Sequence, residues 1–254
     1  MIIALEAVPR SPEALVETAK TASAFPEIRI INVPDLTRFK IRSWEACGIL
    51  AGNGAAFSFM PHLRARDFDP QKPFPHAVLF RSLGIDRTLV IAGDAASTDT
   101  AGIAGAAPTI SFIKKLKSEM PELSIFTAFD PYRSNIRYEL DYLHEKKEAG
   151  AAGFFSQPFF DLRLLEIYAE YLEGADVYWG ISPVLSDKNR NYWESRNRAI
   201  FPKSFRPNFF WNVDFGRRVL DFCEKRGFNL YFMPIKVELK TYLSGLLGTP
   251  GNSG

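Results

Sequence analysis

The chain is organised as short apolar runs that alternate with longer amphipathic segments over nearly its whole length. Eight runs are rich in β-branched or aromatic residues, as expected of strands buried on both faces of a sheet. We predict strands at residues 2–7, 28–33, 56–61, 88–93, 123–128, 153–157, 177–182 and 230–235. Eight strands alternating with helical segments in 254 residues predict one (β/α)8 TIM-type barrel. An open, doubly wound α/β sheet is the alternative fold.

The intervening segments have the periodicity of helices and carry helix start and stop signals. Clear examples lie at residues 11–25, 108–120, 134–150 and 161–174. Gly150 and Gly174 stand where two of these helices should end. No linker divides the chain, so we predict one catalytic barrel domain at residues 1–247 and a flexible tail at residues 248–254.

The composition excludes several classes of protein. A net charge of +2 gives no argument for nucleic acid or an anionic membrane as a partner. No apolar run reaches the roughly 18 residues of a membrane helix, and the N-terminus does not have the pattern of a signal peptide. Cys47 and Cys223 are far apart, which favours free thiols in a reducing compartment. We therefore expect a cytoplasmic protein. Aromatic residues in the segment 191–211 indicate a homo-oligomer interface, an active-site lid or core packing.

Polar side chains follow most of the predicted strands at their carboxyl ends, which form the rim where barrel enzymes hold their sites. The set is Glu6, Asn32, His62, Asp94, Asp130, Gln157, Ser182 and Lys236. The apolar context of Glu6 should raise its pKa and make it a proton donor, although pairing with Arg10 is the alternative. Asp94 follows Gly93, which allows backbone to approach a ligand closely, but Asp94 also suits a helix cap. His62 is either a structural residue with its hydrogen bonds satisfied or a catalytic residue.

The absence of several motifs disfavours metal and acyl-enzyme chemistry. Zinc-ligand spacing, a nucleophile elbow and a phosphate-binding P-loop are absent from the sequence. The reaction types that remain are acid–base and redox chemistry on a bound organic molecule.

Several segments resemble, in order, the motifs of the methylenetetrahydrofolate reductase family. LEAVPR (5–10) resembles the E-x-x-PPR start of that family, and AGDAAS (92–97) resembles its RGD motif. The most specific match is EKKEAGAAGFFSQPFFD (145–161), which resembles K-x-DAGA…TQ-x-FFD. INVPD (31–35), PHLRARDFD (61–69) and GISPV (180–184) also match, so the resemblance runs from residue 6 to about residue 240.

The resemblance implies a barrel enzyme that interconverts 5,10-methylenetetrahydrofolate and 5-methyltetrahydrofolate by hydride transfer. Glu6 matches the general acid that helps to open the five-membered ring. Asp94 matches the residue that contacts the pterin and modulates the hydride donor, and Gln157 matches the glutamine that hydrogen-bonds the pterin. Trp193 falls where the family stacks an aromatic ring near the substrate, and Lys236 falls where a cation meets the glutamate tail.

The resemblance also implies FAD, reduced by NADH or NADPH. Cofactor-binding positions of the family match His62, Gly93, Asp94, Phe129 and Lys146. The sequence departs from the family at Ala92 and Glu145, where arginines are usual, and the loop from residue 130 to 134 is shortened. Losing two cations weakens the hold on a pyrophosphate, so a flavoprotein and a flavin-free enzyme both stay open. A folate-binding barrel without reductase activity and a different pterin-dependent barrel enzyme stay open as well.

Overall fold

A computed structural model describes residues 1–69, 71–93 and 106–249, with only the backbone at 106–108. Eight parallel strands close into a barrel in the order β1 to β8. The strands are β1 Ile3–Glu6, β2 Ile28–Val33, β3 Ser58–Arg64, β4 Arg87–Ile91, β5 Ser124–Phe129, β6 Gly153–Ser156, β7 Asp176–Ile181 and β8 Asn229–Phe232. The predicted TIM-type barrel is therefore confirmed, and the open doubly wound sheet is excluded.

Helices follow the strands around the outside of the barrel. They are α1 Pro12–Ala22, α2 Ser43–Gly52, α3 Ala77–Ser82, α4 Ala106–Glu119, α5 Ile136–Glu148, α6 Leu162–Tyr171, α7 Asp187–Asn197, α8 Phe209–Arg226 and α9 Leu239–Leu247. Helix α1 starts as predicted, because the Ser11 side chain accepts a hydrogen bond from the backbone of Ala14 and Pro12 takes the first helical position. Gly150 and Gly174 follow α5 and α6 with positive φ, in agreement with the predicted helix ends.

The apolar residues form two layers because successive side chains of a strand point to opposite faces. The inner layer fills the barrel and consists of Ala4, Ile30, Met60, Leu89, Phe126, Phe155, Tyr178, Tyr231 and Met233. In this layer the Phe155 and Tyr178 rings stack with their centroids 4.2 Å apart. The outer layer, between strands and helices, is larger and includes Leu5, Ile31 and Trp179. The barrel is thus packed inside, and open space for a ligand has to lie at its ends.

The predicted end of β3 at Pro61 is wrong, because the strand continues to Arg64. Proline lacks an N–H group but not a carbonyl group, and the Pro61 carbonyl accepts a hydrogen bond from the Thr88 hydroxyl at 2.7 Å. Beyond it, His62 and Arg64 pair with Leu89 and Ile91 of β4. His62 and Arg64 therefore belong to the sheet and not to the loop that follows it.

Other sequence expectations can be compared with this fold. Cys47 and Cys223 are both buried free thiols, as predicted. Within the described residues, no helix is long and apolar enough to cross a membrane. In the aromatic segment 191–211, Trp193 and Phe205 belong to a buried cluster, which is the core interpretation, whereas Phe210 is 83% exposed. The predicted tail falls largely outside the described residues, and the domain limits stay a prediction.

Candidate functional site

The alternation along each strand decides which side chains reach the interior at the C-terminal end of the barrel, here called the mouth. On β1, β2 and β3, the inner-layer residues Ala4, Ile30 and Met60 are each followed two positions later by a polar residue. Those residues are Glu6, Asn32 and His62. On β6, Gln157 stands two positions after Phe155 in the same way. Four of the predicted rim residues therefore point to one mouth.

Glu6 is a half-buried carboxylic acid held by one phenol. The Tyr231 hydroxyl donates a hydrogen bond to Glu6 Oε2 at 2.5 Å. Burial raises the pKa of Glu6 because the apolar surroundings disfavour its charged form, while the Tyr231 hydrogen bond and the charge of Arg38 act in the opposite direction. The pKa shift has the direction expected from the sequence, but the partner is Tyr231 and not Arg10. The role of Glu6 as a proton donor stays a prediction.

His62 and Asn32 form the neighbouring part of the mouth. His62 is 7% exposed, and burial lowers its pKa to about 3, so the imidazole is neutral. Its Nε2–H group donates to Asn32 Oδ1. The Asn32 amide nitrogen in turn lies 3.6 Å from Met60 Sδ. His62 therefore serves this site as an uncharged, oriented ring and not as a cation.

A cavity of about 290 Å³ opens on the other side of the mouth, along β3 to β6. Five residues predicted from sequence line it: Gly93, Phe129, Asp130, Lys146 and Gln157. The Phe129 ring is 2% exposed and packs against Tyr168 and Trp179 in the outer layer, so its share of the cavity wall is mainly backbone. The Gln157 side-chain amide has no hydrogen-bond partner among the described residues, which leaves its donor and acceptor groups for a ligand.

Lys146 is a buried amine in the wall of this cavity. Its Nζ donates to the Ala128 carbonyl at 2.6 Å and lies 4.1 Å from the centre of the Tyr142 ring. Burial lowers the pKa of Lys146 to about 7. The burial has a sequence signal, because the buried stripe of α5 recurs at i, i+3, i+4 and i+7 in Glu139, Tyr142, Leu143 and Lys146. Lys147, the next residue, is exposed.

An ion pair between Arg133 and Glu139 packs next to the cavity wall that contains Lys146. Glu139 is fully buried, and both of its oxygens accept hydrogen bonds from Arg133 Nη2, at 3.2 and 3.0 Å. The same carboxylate accepts a bond from the backbone N–H of Asp130 at 3.1 Å. Arg133 and Asp130 both line the cavity, and burial raises the pKa of Asp130. The short loop after β5 is thus fixed by one buried carboxylate.

Arg64 supplies another cation to the cavity. It is 8% exposed, and its Nε has no hydrogen-bond partner among the described residues, although Asp67 lies 3.9 Å away. The guanidinium packs against Gly93, where a Cβ atom would come within 3.0 Å of Nε. Gly93 has a φ of +84°, which only glycine adopts readily. This glycine is therefore required both by its backbone conformation and by the arginine beside it.

Two further predicted site residues lie elsewhere. Trp193 is 8% exposed and packs edge-on against Phe160 in a buried aromatic cluster, apart from the cavity lining. Lys236 is exposed, has a left-handed backbone with φ 55° and donates to Asn189 Oδ1 at 3.2 Å. Asp94 lies outside the described residues. Substrate roles for these three stay predictions.

The site residues predicted from sequence do not include Tyr231, Arg64 or Arg133. The signal for Tyr231 and Arg64 was the alternation, because Tyr231 is in the inner layer and Arg64 stands two positions after His62 in β3. Among the described residues, no group of three or more His, Cys, Asp or Glu side chains could hold a metal ion. The site is built of proton donors, amides and cations.

Comparisons with known proteins give the fold. No protein-family description matches the sequence, and no curated protein is significantly similar. Among solved structures, an uncharacterized protein from Clostridium thermocellum that binds two copies of 5-methyl-5,6,7,8-tetrahydrofolic acid matches with a TM-score of 0.65 at 14% identity, covering 97% of this chain and 92% of that chain. A 2,3-dimethylmalate lyase of the PEP mutase/isocitrate lyase superfamily matches with a TM-score of 0.61 at 7% identity, covering 93% and 75%. At these identities the likeness shows a shared barrel fold.

Proposed function

We propose that the chain is a methylenetetrahydrofolate reductase-like oxidoreductase that interconverts 5,10-methylenetetrahydrofolate and 5-methyltetrahydrofolate. The observation that carries the proposal is a carboxylic acid, Glu6, whose pKa is raised by burial at the mouth of a TIM barrel. A barrel of the same fold binds 5-methyltetrahydrofolate. The ordered motif matches from residue 6 to about residue 240 add to this support.

Glu6 acts as the general acid. Its proton goes to the ring nitrogen that leaves when the five-membered ring of the substrate opens, and the other nitrogen becomes part of an electrophilic iminium. A carboxyl group whose pKa is raised by an apolar site is better suited to this step than an ordinary solvated glutamate, which is ionised at neutral pH. In the opposite direction the resulting carboxylate takes the proton back.

Gln157 orients the pterin. An amide supplies a hydrogen-bond donor and an acceptor together, which suits a heterocycle that displays both. Gln157 lines the cavity, and Phe155, two residues before it, fills the barrel beneath. Asp94 would complete the pterin contacts, as its motif implies.

The cavity beside Gln157 would hold the hydride donor. When bound, a reduced flavin or nicotinamide supplies the hydride. Lys146, Arg64 and Arg133 offer N–H donors that suit the carbonyl edge of such a ring and a phosphate, so the donor set fits either FAD or NAD(P)H. Gly93 lets the ligand approach the backbone, and the neutral His62 orients its neighbours without adding charge.

The second candidate is a folate-binding barrel without reductase activity. It is favoured by Ala92 and Glu145, which stand in place of cations, because Ala92 lines the cavity and adds no charge to it. The protein from Clostridium thermocellum also favours this candidate, because it is an uncharacterized protein that binds 5-methyl-5,6,7,8-tetrahydrofolic acid. A protein that only binds folate has no need for a buried proton donor, so Glu6 separates the two candidates.

The deciding experiment combines a spectrum with a turnover assay. Purified protein is examined for flavin absorbance before and after addition of FAD and desalting, and methylenetetrahydrofolate-dependent oxidation of NADH and NADPH is measured on each sample. We expect turnover, and Glu6→Gln should reduce it roughly 10²- to 10⁴-fold. Glu17→Gln, on the exposed face of α1, is the control and should leave turnover unchanged.

Each outcome has a distinct meaning. Turnover with bound flavin supports a flavoprotein, and turnover without flavin supports direct transfer from the nicotinamide. Folate binding with no oxidation in any sample would replace the reductase by the folate-binding candidate. Unchanged turnover in Glu6→Gln would remove Glu6 from the chemistry.

A further inference from the structure

We infer that Tyr231 is the positioning residue of the proton donor, holding the Glu6 carboxyl group in one orientation at the barrel mouth. The inference rests on the proposed function of Glu6. It is carried by the 2.5 Å hydrogen bond from the Tyr231 hydroxyl to Glu6 Oε2. The two residues lie on the neighbouring strands β8 and β1, which pair in the closed barrel.

The backbone register explains how this bond forms. Tyr231 is paired with Ala4, the inward-facing residue one layer below Glu6. Because alanine has only a methyl group, the Tyr231 ring can occupy the space above it and extend its hydroxyl to the next layer. A larger side chain at position 4 would compete for this space. The small residue and the long phenol are therefore complementary.

The Tyr231 ring is held firmly. It is 3% exposed and packs against Phe155 with centroids 5.1 Å apart at an interplanar angle of 76°. Edge-to-face contacts of this kind are favourable and restrict ring rotation. Burial and the nearby Glu6 raise the pKa of Tyr231 well above its ordinary value, so the phenol remains a donor. A fixed ring with a fixed donor sets the direction of the carboxyl group.

As a result, the two carboxyl oxygens of Glu6 have different roles. Tyr231 donates to Oε2, so the proton of the neutral acid belongs on Oε1, the oxygen left to face a substrate. The same bond favours the carboxylate and partly opposes the effect of burial on the Glu6 pKa. Arg38, in the segment after β2, also favours the carboxylate, whereas the nearby His62 is neutral.

The test is Tyr231→Phe, which keeps the ring and removes the hydroxyl. The Glu6 pKa should rise further, so the alkaline limb of the kcat/KM profile should move to higher pH. Without its positioning bond the acid should also lose about 10-fold in kcat with little change in KM. The matched control is Tyr178→Phe, since Tyr178 lies in the same inner layer and stacks on the same Phe155. It should change neither quantity.

A second measurement is independent of turnover. Carbon-13 NMR of glutamate carboxyl groups follows the titration of Glu6, with Glu6→Gln used to assign the signal. A higher Glu6 pKa in Tyr231→Phe supports the pairing even if no substrate is turned over, in which case only the proposed reaction fails. The same titration in both proteins, or a kcat/KM profile that Tyr231→Phe leaves in place, would overturn the inference.

Discussion

The two sides of the barrel mouth hold their buried polar side chains in different ways. The β1 side, consisting of Glu6, Asn32, His62 and Tyr231, joins its groups through single hydrogen bonds, and burial raises the pKa of Glu6 and lowers that of His62. The cavity side, around Lys146, Arg133, Glu139 and Gln157, contains charged groups, with the Glu139 carboxylate paired to Arg133 at 3.0 Å. One side is suited to hold a proton, the other to hold an anionic or carbonyl-rich ligand.

The difference shows that burial sets the charge of a group only when no partner opposes it. Glu6 and His62 have neutral hydrogen-bond partners, and burial shifts the pKa of each towards its neutral form. Glu139 is fully buried but has Arg133 against it. Lys146 is intermediate, because burial lowers its pKa while the nearby Glu139 carboxylate opposes that shift, and its pKa falls only to about 7.

The largest expected effect concerns Lys146. Its native pKa of about 7 is far below that of an unfolded lysine, so between pH 7 and 10 the unfolded state binds a proton that the native state lacks. The free energy of unfolding should therefore rise with pH by up to about 1.4 kcal/mol per pH unit from this group. Lys146→Met should remove about 3 kcal/mol of that rise between pH 7 and pH 10.

Urea unfolding at pH 7, 8.5 and 10 measures this slope. Lys147→Met is the control because Lys147 is exposed on the same helix. Equal slopes in the two variants would mean that Lys146 is charged in the native state, and the contrast between the two sides of the mouth would disappear.

The second-largest expected effect concerns the ion pair between Arg133 and Glu139 beside the cavity. Arg133→Met leaves the fully buried Glu139 without its cation, which should lower the free energy of unfolding by about 2 kcal/mol. The value is below that of a fully buried pair because the Arg133 side chain is 49% exposed. Arg137→Met, which breaks the exposed pair with Asp141 on the same helix, should change stability by less than about 0.5 kcal/mol. Similar losses in both variants would contradict a structural role for the buried pair.

The smallest expected effect concerns His62. Its native pKa of about 3 is below that of an unfolded histidine, so the unfolded state binds the extra proton as the pH falls through 6. The native protein should lose about 1 kcal/mol of stability from this group between pH 6 and 5. His62→Gln should abolish that part of the acid sensitivity, whereas His144→Gln, at an exposed histidine, should retain it. Thermal unfolding at the two pH values compares them, and unchanged acid sensitivity in His62→Gln would show that the imidazole is charged.

Much of the fold was predictable because strands and helices leave different local patterns. The short apolar runs marked all eight strands, and Ser11 and the glycines after α5 and α6 marked helix limits. The predicted end of β3 at Pro61 falls three residues short, because the strand continues to Arg64. Polar residues after strands located Glu6 and Gln157 at the mouth.

The partners of those residues were harder to predict, because they depend on contacts between distant parts of the chain. Tyr231 contacts Glu6 across 225 positions, and only the register of the closed barrel brings them together. The stripe of α5 indicates that Lys146 is buried and Lys147 is not, but the hydrogen bond from Lys146 to the Ala128 carbonyl depends on how α5 packs against β5. A pattern within one element is visible in sequence, whereas a pairing between elements is not.

The pairing of the first strand with the last has a consequence for how the protein is made. Ile3 pairs with Leu230, so β1 has an unpaired edge until almost the whole chain has been synthesised. Contacts of such long sequence separation form late and slow folding. The hydrogen bond between Tyr231 and Glu6 spans the same seam and forms only when it closes. A nascent or truncated chain that ends before β8 therefore has Glu6 but not its hydrogen-bond partner, so completion of the chain also completes the Glu6–Tyr231 pair.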